Sequence, residues 1–202
     1  MCIRDSSRAV RVDDRLFIAG TTALKKDGTV ASPGDVYGQS QYAMETIREI
    51  LEEAGGTFGD LVYSKTFLTD MTQASAHQRA RMEALGDVRP PLTLLGIPGV
   101  QFPEIMVEIE TEAIIGSAQD RKIIYTENQA EKARGYARAV QVGDVILADV
   151  SGEEVESYLL QEEIVKPIET DLDVATDRGC SDEEHAAMRA EAATQWTNFS
   201  SE

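Results

Sequence analysis

Apolar and polar residues alternate from the start of the chain. Val10 and Val12 are interleaved with Arg11 and Asp13, Asp13-Asp14 marks a turn, and Leu16-Phe17-Ile18-Ala19-Gly20 follows, so residues 7–22 read as two short strands. Lys26-Asp27-Gly28 and Pro33-Gly34 are chain breakers. Beyond them the period changes. Val36, Ser40, Ala43, Met44, Ile47, Ile50, Leu51 and Ala54 recur at helical spacing, with Asp35 placed to cap the start and Gly55-Gly56 to end it. This predicts an amphipathic helix of about five turns.

Residues 61–69, rich in Val, Tyr, Thr and Phe, read as a strand. A second helix, capped by Asp70 or Thr72, runs to about Leu85 on a thinner stripe of Met71, Ala74, Met82 and Leu85. Pro90-Pro91 interrupts the chain, and residues 92–97 form another strand. The last strand, over residues 106–115, is the clearest. Val107, Ile109, Thr111 and Ala113 point one way, and Glu108, Glu110 and Glu112 the other. The order is β-β-α-β-α-β-β. It predicts an α+β fold, a mixed β-sheet of about five strands with two helices packed on one face, because their apolar stripes need cover. The other face carries the glutamates, a like-charged ladder that calls for cations such as Arg8, Arg11 or Arg15 opposite it.

The chain also repeats itself. Arg8-Ala9-Val10-x-Val12-x-Asp14 returns 130 residues later as Arg138-Ala139-Val140-x-Val142-x-Asp144, each time followed by a short apolar run. The similarity stops after Ser151-Gly152, where an acidic segment begins. Within that segment, Ser181 and Glu184 have the spacing of a capping box. The predicted organisation is a non-native leader at 1–6, a domain at 7–117, a partial second repeat at 118–152 and an acidic tail at 153–202.

Composition narrows the function classes. The 202 residues carry a net charge of −17, and residues 153–202 alone hold 14 acids against 3 bases. That charge speaks against a nucleic-acid partner. No apolar run reaches the ~18 residues of a membrane span. Cys2 and Cys180 lie near opposite ends, without metal-ligand spacing, which suggests a reducing, cytoplasmic setting and no structural zinc. His77 has no neighbouring ligand either, so no metal site is expected.

Four segments together resemble the Rid/YjgF family of reactive-intermediate deaminases. They are the opening hairpin from Arg8 to Thr21, the helix end Leu51-Glu52-Glu53-Ala54-Gly55-Gly56, the strand from Asp60 to Asp70, and the closing Val107-Glu108-Ile109-Glu110-Thr111-Glu112-Ala113. Gly135-Tyr136-Ala137-Arg138-Ala139-Val140 resembles the start of another such unit. The resemblance implies a chorismate-mutase-like architecture and a homotrimer with clefts between neighbouring subunits. It also implies hydrolysis of small imines or enamines to keto acid and ammonia, with no cofactor.

The resemblance assigns Glu108 as the water-positioning, catalytic residue and Gly20 to the cleft lining, with Ala19 where the family carries a serine. Leu92 aligns with the position of the arginine that clamps the substrate carboxylate. Arg89, before the prolines, is the substitute candidate, and Thr93 is a possible ligand-binding hydroxyl. Without an arginine at 92, two functions stand: a deaminase of weak or altered activity, or a trimeric protein on the same scaffold that binds a small ligand or partner without that chemistry.

Overall fold

The computed structural model describes residues 7–149. Met1 to Ser6, the acidic tail, Cys180 and His185, and the capping box at Ser181 lie outside the described residues, which all belong to one compact unit.

A five-stranded mixed sheet forms the body. Its strands are β1 (Ala9–Val12), β2 (Arg15–Thr22), β3 (Leu61–Leu68), β4 (Leu92–Gly96) and β5 (Val107–Ile114), in the order β1-β2-β5-β3-β4. Only β3 and β4 run parallel, because the crossover between them is a helix rather than a hairpin. Helices α1 (Val36–Glu53) and α2 (Ala74–Leu85) pack together across one face. The protein is thus of the α+β class.

Helix α1 starts where Asp35 takes an extended conformation and its side chain accepts the Tyr37 N–H at 3.0 Å. Its stripe of Val36, Ala43, Met44, Ile47 and Leu51 meets Leu16, Ile18, Leu61, Leu68, Val107, Ile109 and Ala113 in the main core. Truncating a fully buried side chain such as Ile47 to alanine costs about 2–5 kcal/mol at sites of this kind. Helix α2 departs from the expected stripe. Asp70 caps a single turn at Met71–Gln73, Met71 stays 46% exposed, and the helix buries His77, Ala80, Arg81 and Leu85. Two polar residues hold inner positions, His77 bonded through Nδ1 and Arg81 through its two Nη atoms, as shown below, while His77 Nε2 and Arg81 Nε have no partner among the described residues.

The opposite face of the sheet is covered only in part. Residues after β5 form a small three-stranded sheet of β6 (Lys122–Ile124), β7 (Ala139–Val142) and β8 (Val145–Ala148), with a short helix α3 (Gln129–Ala133) between β6 and β7. Val140, backed by Val142 and Leu147, packs on Val62 and Ile114 of the large sheet. Asp60 anchors the turn into this segment. Its carboxylate accepts the Thr57 N–H at 2.8 Å, then Gly116 N–H at 2.9 Å and Ala118 N–H at 3.0 Å.

Candidate functional site

Glu108 is the second residue of β5 and belongs to the face away from the helices. In the ladder it stands beside Phe67 of β3 and Thr22 of β2. Strand β2 slips register between Ile18 and Thr21, and Gly20 sits in that irregularity. A Cβ built on Gly20 would lie 1.8 Å from Glu108 Oε1, so the carboxylate occupies the space that any side chain at 20 would need. Burial, followed by the charge of Glu110, raises the pKa of Glu108 above the ordinary carboxylate value. The rest of the ladder is compensated differently from Glu108. Arg15 pairs with Glu112 at 3.1 Å and Lys65 with Glu110 at 3.6 Å, whereas among the described residues no cation stands within ion-pair distance of Glu108. Arg11 does not face the ladder as expected. Its guanidinium donates to the carbonyls of Asp13 and Ala54, and Lys65 supplies the missing charge.

The β4 candidates separate by face. Thr93 pairs with Lys65 and shares the Glu108 side. Its hydroxyl lies 2.7 Å from Tyr63 Oη and donates to Asp149 Oδ1 at 2.7 Å, so it is engaged in binding the second segment. Leu92 pairs with Ser64 and shares the side of Leu94, which packs against the main core. Alternation therefore turns Leu92 toward the helix layer. The β4 residue in line with Phe67 and Glu108 is Leu95, 43% exposed. Arg89 lies off the strand, with Nη2 3.6 Å from Asp87 Oδ1 and Nη1 close against Gly135. The fold thus joins Glu108 to Gly20, places Thr93 on the same face, and sets Leu92 and Arg89 elsewhere. A hollow of about 450 Å³ beside α2 and α3, bounded by Ser75, Arg79, Met82 and Arg134, contains none of these residues.

The burial of two groups was not legible in the sequence. Arg81, 1% exposed, donates to the carbonyls of Pro90 at 3.1 Å and Gly135 at 2.8 Å, and so ties α2 to the entrance of β4 and to the second segment. Burial, then the nearby Arg89, lowers its pKa to about 10. His77, fully buried, places Nδ1 3.0 Å from Ser40 Oγ. Burial, then the charge of Arg81, lowers its pKa to about 4, so the ring is neutral at neutral pH. Among the described residues no group of three His, Cys, Asp or Glu side chains could hold a metal, and no helix is long and apolar enough to cross a membrane.

The family model described as Endoribonuclease L-PSP matches residues 3–115. A Mycobacterium tuberculosis structure, Rv2704, described as a member of the YjgF/YER057c/UK114 family, is 28% identical and has a TM-score of 0.50, covering 55% of this chain and 88% of its own. The chain belongs to the Rid/YjgF family. A Streptomyces coelicolor relative, the uncharacterized protein SCO2049, is 34% identical over 111 residues, which is 55% of this chain and 82% of the relative. RidA from the Antarctic bacterium Psychrobacter sp. PAMC 21119 shares the fold with a TM-score of 0.52 at 22% identity, covering 57% of this chain and 92% of that one. The Rid/YjgF match thus ends where the second segment begins.

Proposed function

We propose that this Rid/YjgF protein hydrolyses small imines or enamines at the Glu108–Gly20 corner without a cofactor, giving a carbonyl compound and ammonia. The observation that carries the reading is the Glu108 carboxylate, held against bare backbone with a raised pKa and no paired cation among the described residues. Such a group accepts a proton from a water more readily than a fully solvated carboxylate. An enamine first takes a proton from solvent at its β-carbon to become the iminium ion, and an imine takes one at nitrogen. Water then attacks the iminium carbon, the C=N π pair moves to nitrogen, and one water proton passes to Glu108. Glu108 returns that proton to nitrogen, the C–N bond breaks as the hydroxyl oxygen forms the C=O bond, ammonia leaves, and the hydroxyl proton goes to solvent. With amino-acid-derived substrates the product is a 2-keto acid.

The substrate carboxylate lacks an arginine in line with Glu108, since that place on β4 is Leu95. Turnover of such substrates is accordingly slow. The same observation favours a second reading, a protein that binds a small ligand without chemistry. The net charge of −17 and the glutamate-bearing face disfavour a polyanionic ligand such as RNA under either reading. The wide separation of the two cysteines in sequence fits a cytoplasmic protein. Threefold assembly, implied by the family, would use the face that carries the glutamates.

Ammonia release from 2-aminoacrylate generated in solution tests the proposal. The wild-type chain should exceed the uncatalysed rate, and Glu108→Gln should return it to that background. Wild-type protein that binds a 2-keto acid by calorimetry yet never exceeds the background would establish the second reading.

A further inference from the structure

Helix α2 turns one face toward the second segment, and a hollow lies between them. Ser75, Gln78, Arg79 and Met82 recur at helical spacing and form one wall of this hollow of about 450 Å³. Ala133 and Arg134, at the end of α3, form the other. That second wall is pinned in place. Arg81 donates to the Gly135 carbonyl at 2.8 Å. A Cβ added to Gly135, at φ 69°, would stand 2.7 Å from Met82 Cγ and 2.8 Å from Arg89 Nη1. Glycine is what lets the backbone take this conformation so close to Met82.

The junction gathers Arg79, Arg81, Arg89 and Arg134 in a chain whose net charge is −17. The acids beside them are engaged. Asp87 lies 3.6 Å from Arg89, and Glu83, which also borders the hollow, accepts the Tyr37 hydroxyl. Arg79 and Arg134, the two that line the hollow, have no carboxylate partner among the described residues. Arg79 is nevertheless held, its guanidinium carbon 4.3 Å from the Tyr37 ring centre. Stacking on an aromatic face leaves the edge N–H groups of a guanidinium free to grip an oxyanion.

Two guanidiniums on opposite walls suit an anion with oxygens enough for both, since each binds a carboxylate or phosphate side-on. Met82 and Ala133 offer apolar contact between them, and the volume falls in the small-molecule range of about 300–1,000 Å³. Cations confined to one hollow of an acidic protein suit a small ligand better than a polymer, which needs a basic stripe.

We propose that the α2–α3 hollow binds a small organic dianion, a phosphate monoester or a dicarboxylate with a compact apolar body, between Arg79 and Arg134. The site stands apart from the chemistry at Glu108. It depends on the second segment, because the family match ends at residue 115 and α3 lies beyond it.

Calorimetry on the full chain tests it, with phenyl phosphate and phthalate as probes of the two dianion types and phenol as the uncharged control. Wild type should bind at least one of the dianions saturably at millimolar concentration, more tightly than inorganic phosphate, and should not bind phenol. Arg79→Gln and Arg134→Gln should each weaken binding about tenfold or more, the loss of one charged contact. Lys26→Gln, which removes an exposed cation from the connection between β2 and α1, should leave it unchanged. If Arg79→Gln melts early, Arg134→Gln carries the test, since its side chain gives up no carboxylate. The Met82 methyl signal, assigned with Met82→Leu, should shift during the titration with the same affinity. The proposal is overturned if neither dianion binds, if inorganic phosphate binds as tightly, or if a folded arginine variant binds as wild type does. A Met82 signal that stays still while the calorimeter records binding would place the ligand elsewhere and overturn it too. So would a single-stranded oligoribonucleotide that displaces phenyl phosphate at lower concentration, which would make the patch a nucleic-acid surface.

Discussion

Several side chains here are set by what they cannot reach. His77 is sealed from solvent and titrates at about 4, against 6.5 in an unfolded chain. Between those values the unfolded form binds more protons than the folded one. Stability is therefore complete above pH 6.5 and falls as the pH drops toward 4, by about 3 kcal/mol from this group. The thermal midpoint of wild type should fall more between pH 7 and pH 4.5 than that of His77→Gln; equal falls would show that His77 is not the group responsible. Position also decides how a substrate clamp could be installed. Leu92→Arg would push a guanidinium toward the helix layer and lower the midpoint by several degrees. Leu95→Arg places the cation in line with Glu108 and should raise turnover of carboxylate-bearing imines about tenfold or more, if one charged contact of about 1.5–3 kcal/mol acts in the transition state. Kinetics and melting curves on the two variants separate these outcomes. The face of Glu108 was legible in the sequence because eight alternating residues fix the phase of β5. The face of Leu92 was not, since Leu-Thr-Leu-Leu after two prolines alternates too weakly to show which side is inward.

Elements with one strong signal were read well, and elements that bury polar groups were not. Helix α1 has a wide apolar stripe, a capping aspartate and a double-glycine stop, and all three act where they were expected. Helix α2 hides His77 and Arg81, residue types that periodicity assigns to solvent. Their burial rests on acceptors in other elements, the carbonyls of Pro90 and Gly135 and the hydroxyl of Ser40, which no local pattern reveals. Asp60 works between elements in the same way, joining the entry of β3 to the exit of β5. Asp60→Asn keeps the shape but replaces one carboxylate oxygen with a donor facing N–H groups. It should cost about 1–3 kcal/mol. Chemical denaturation would register this as a lower midpoint with an unchanged slope, and an unchanged midpoint would mean that water substitutes for the lost acceptor.

The whole molecule carries its excess charge unevenly. Residues 153–202 hold 14 of the 36 acidic residues and only 3 of the 19 basic ones, and the family match ends well before them. Deleting them should leave the main thermal transition within a few degrees of the full chain; a drop of ten degrees or more would mean that they contribute to the core. A short string recurs in the sequence, but where its second occurrence would pack was not legible there, since a seat such as Val62 and Ile114 exists only once the sheet has formed. That seat has a consequence for how the hairpin responds to dilution. Hairpin β7–β8 is joined to β5 through residues 115–138, so it meets Val62 and Ile114 at an effective concentration on the order of millimolar, and this does not fall as the protein is diluted.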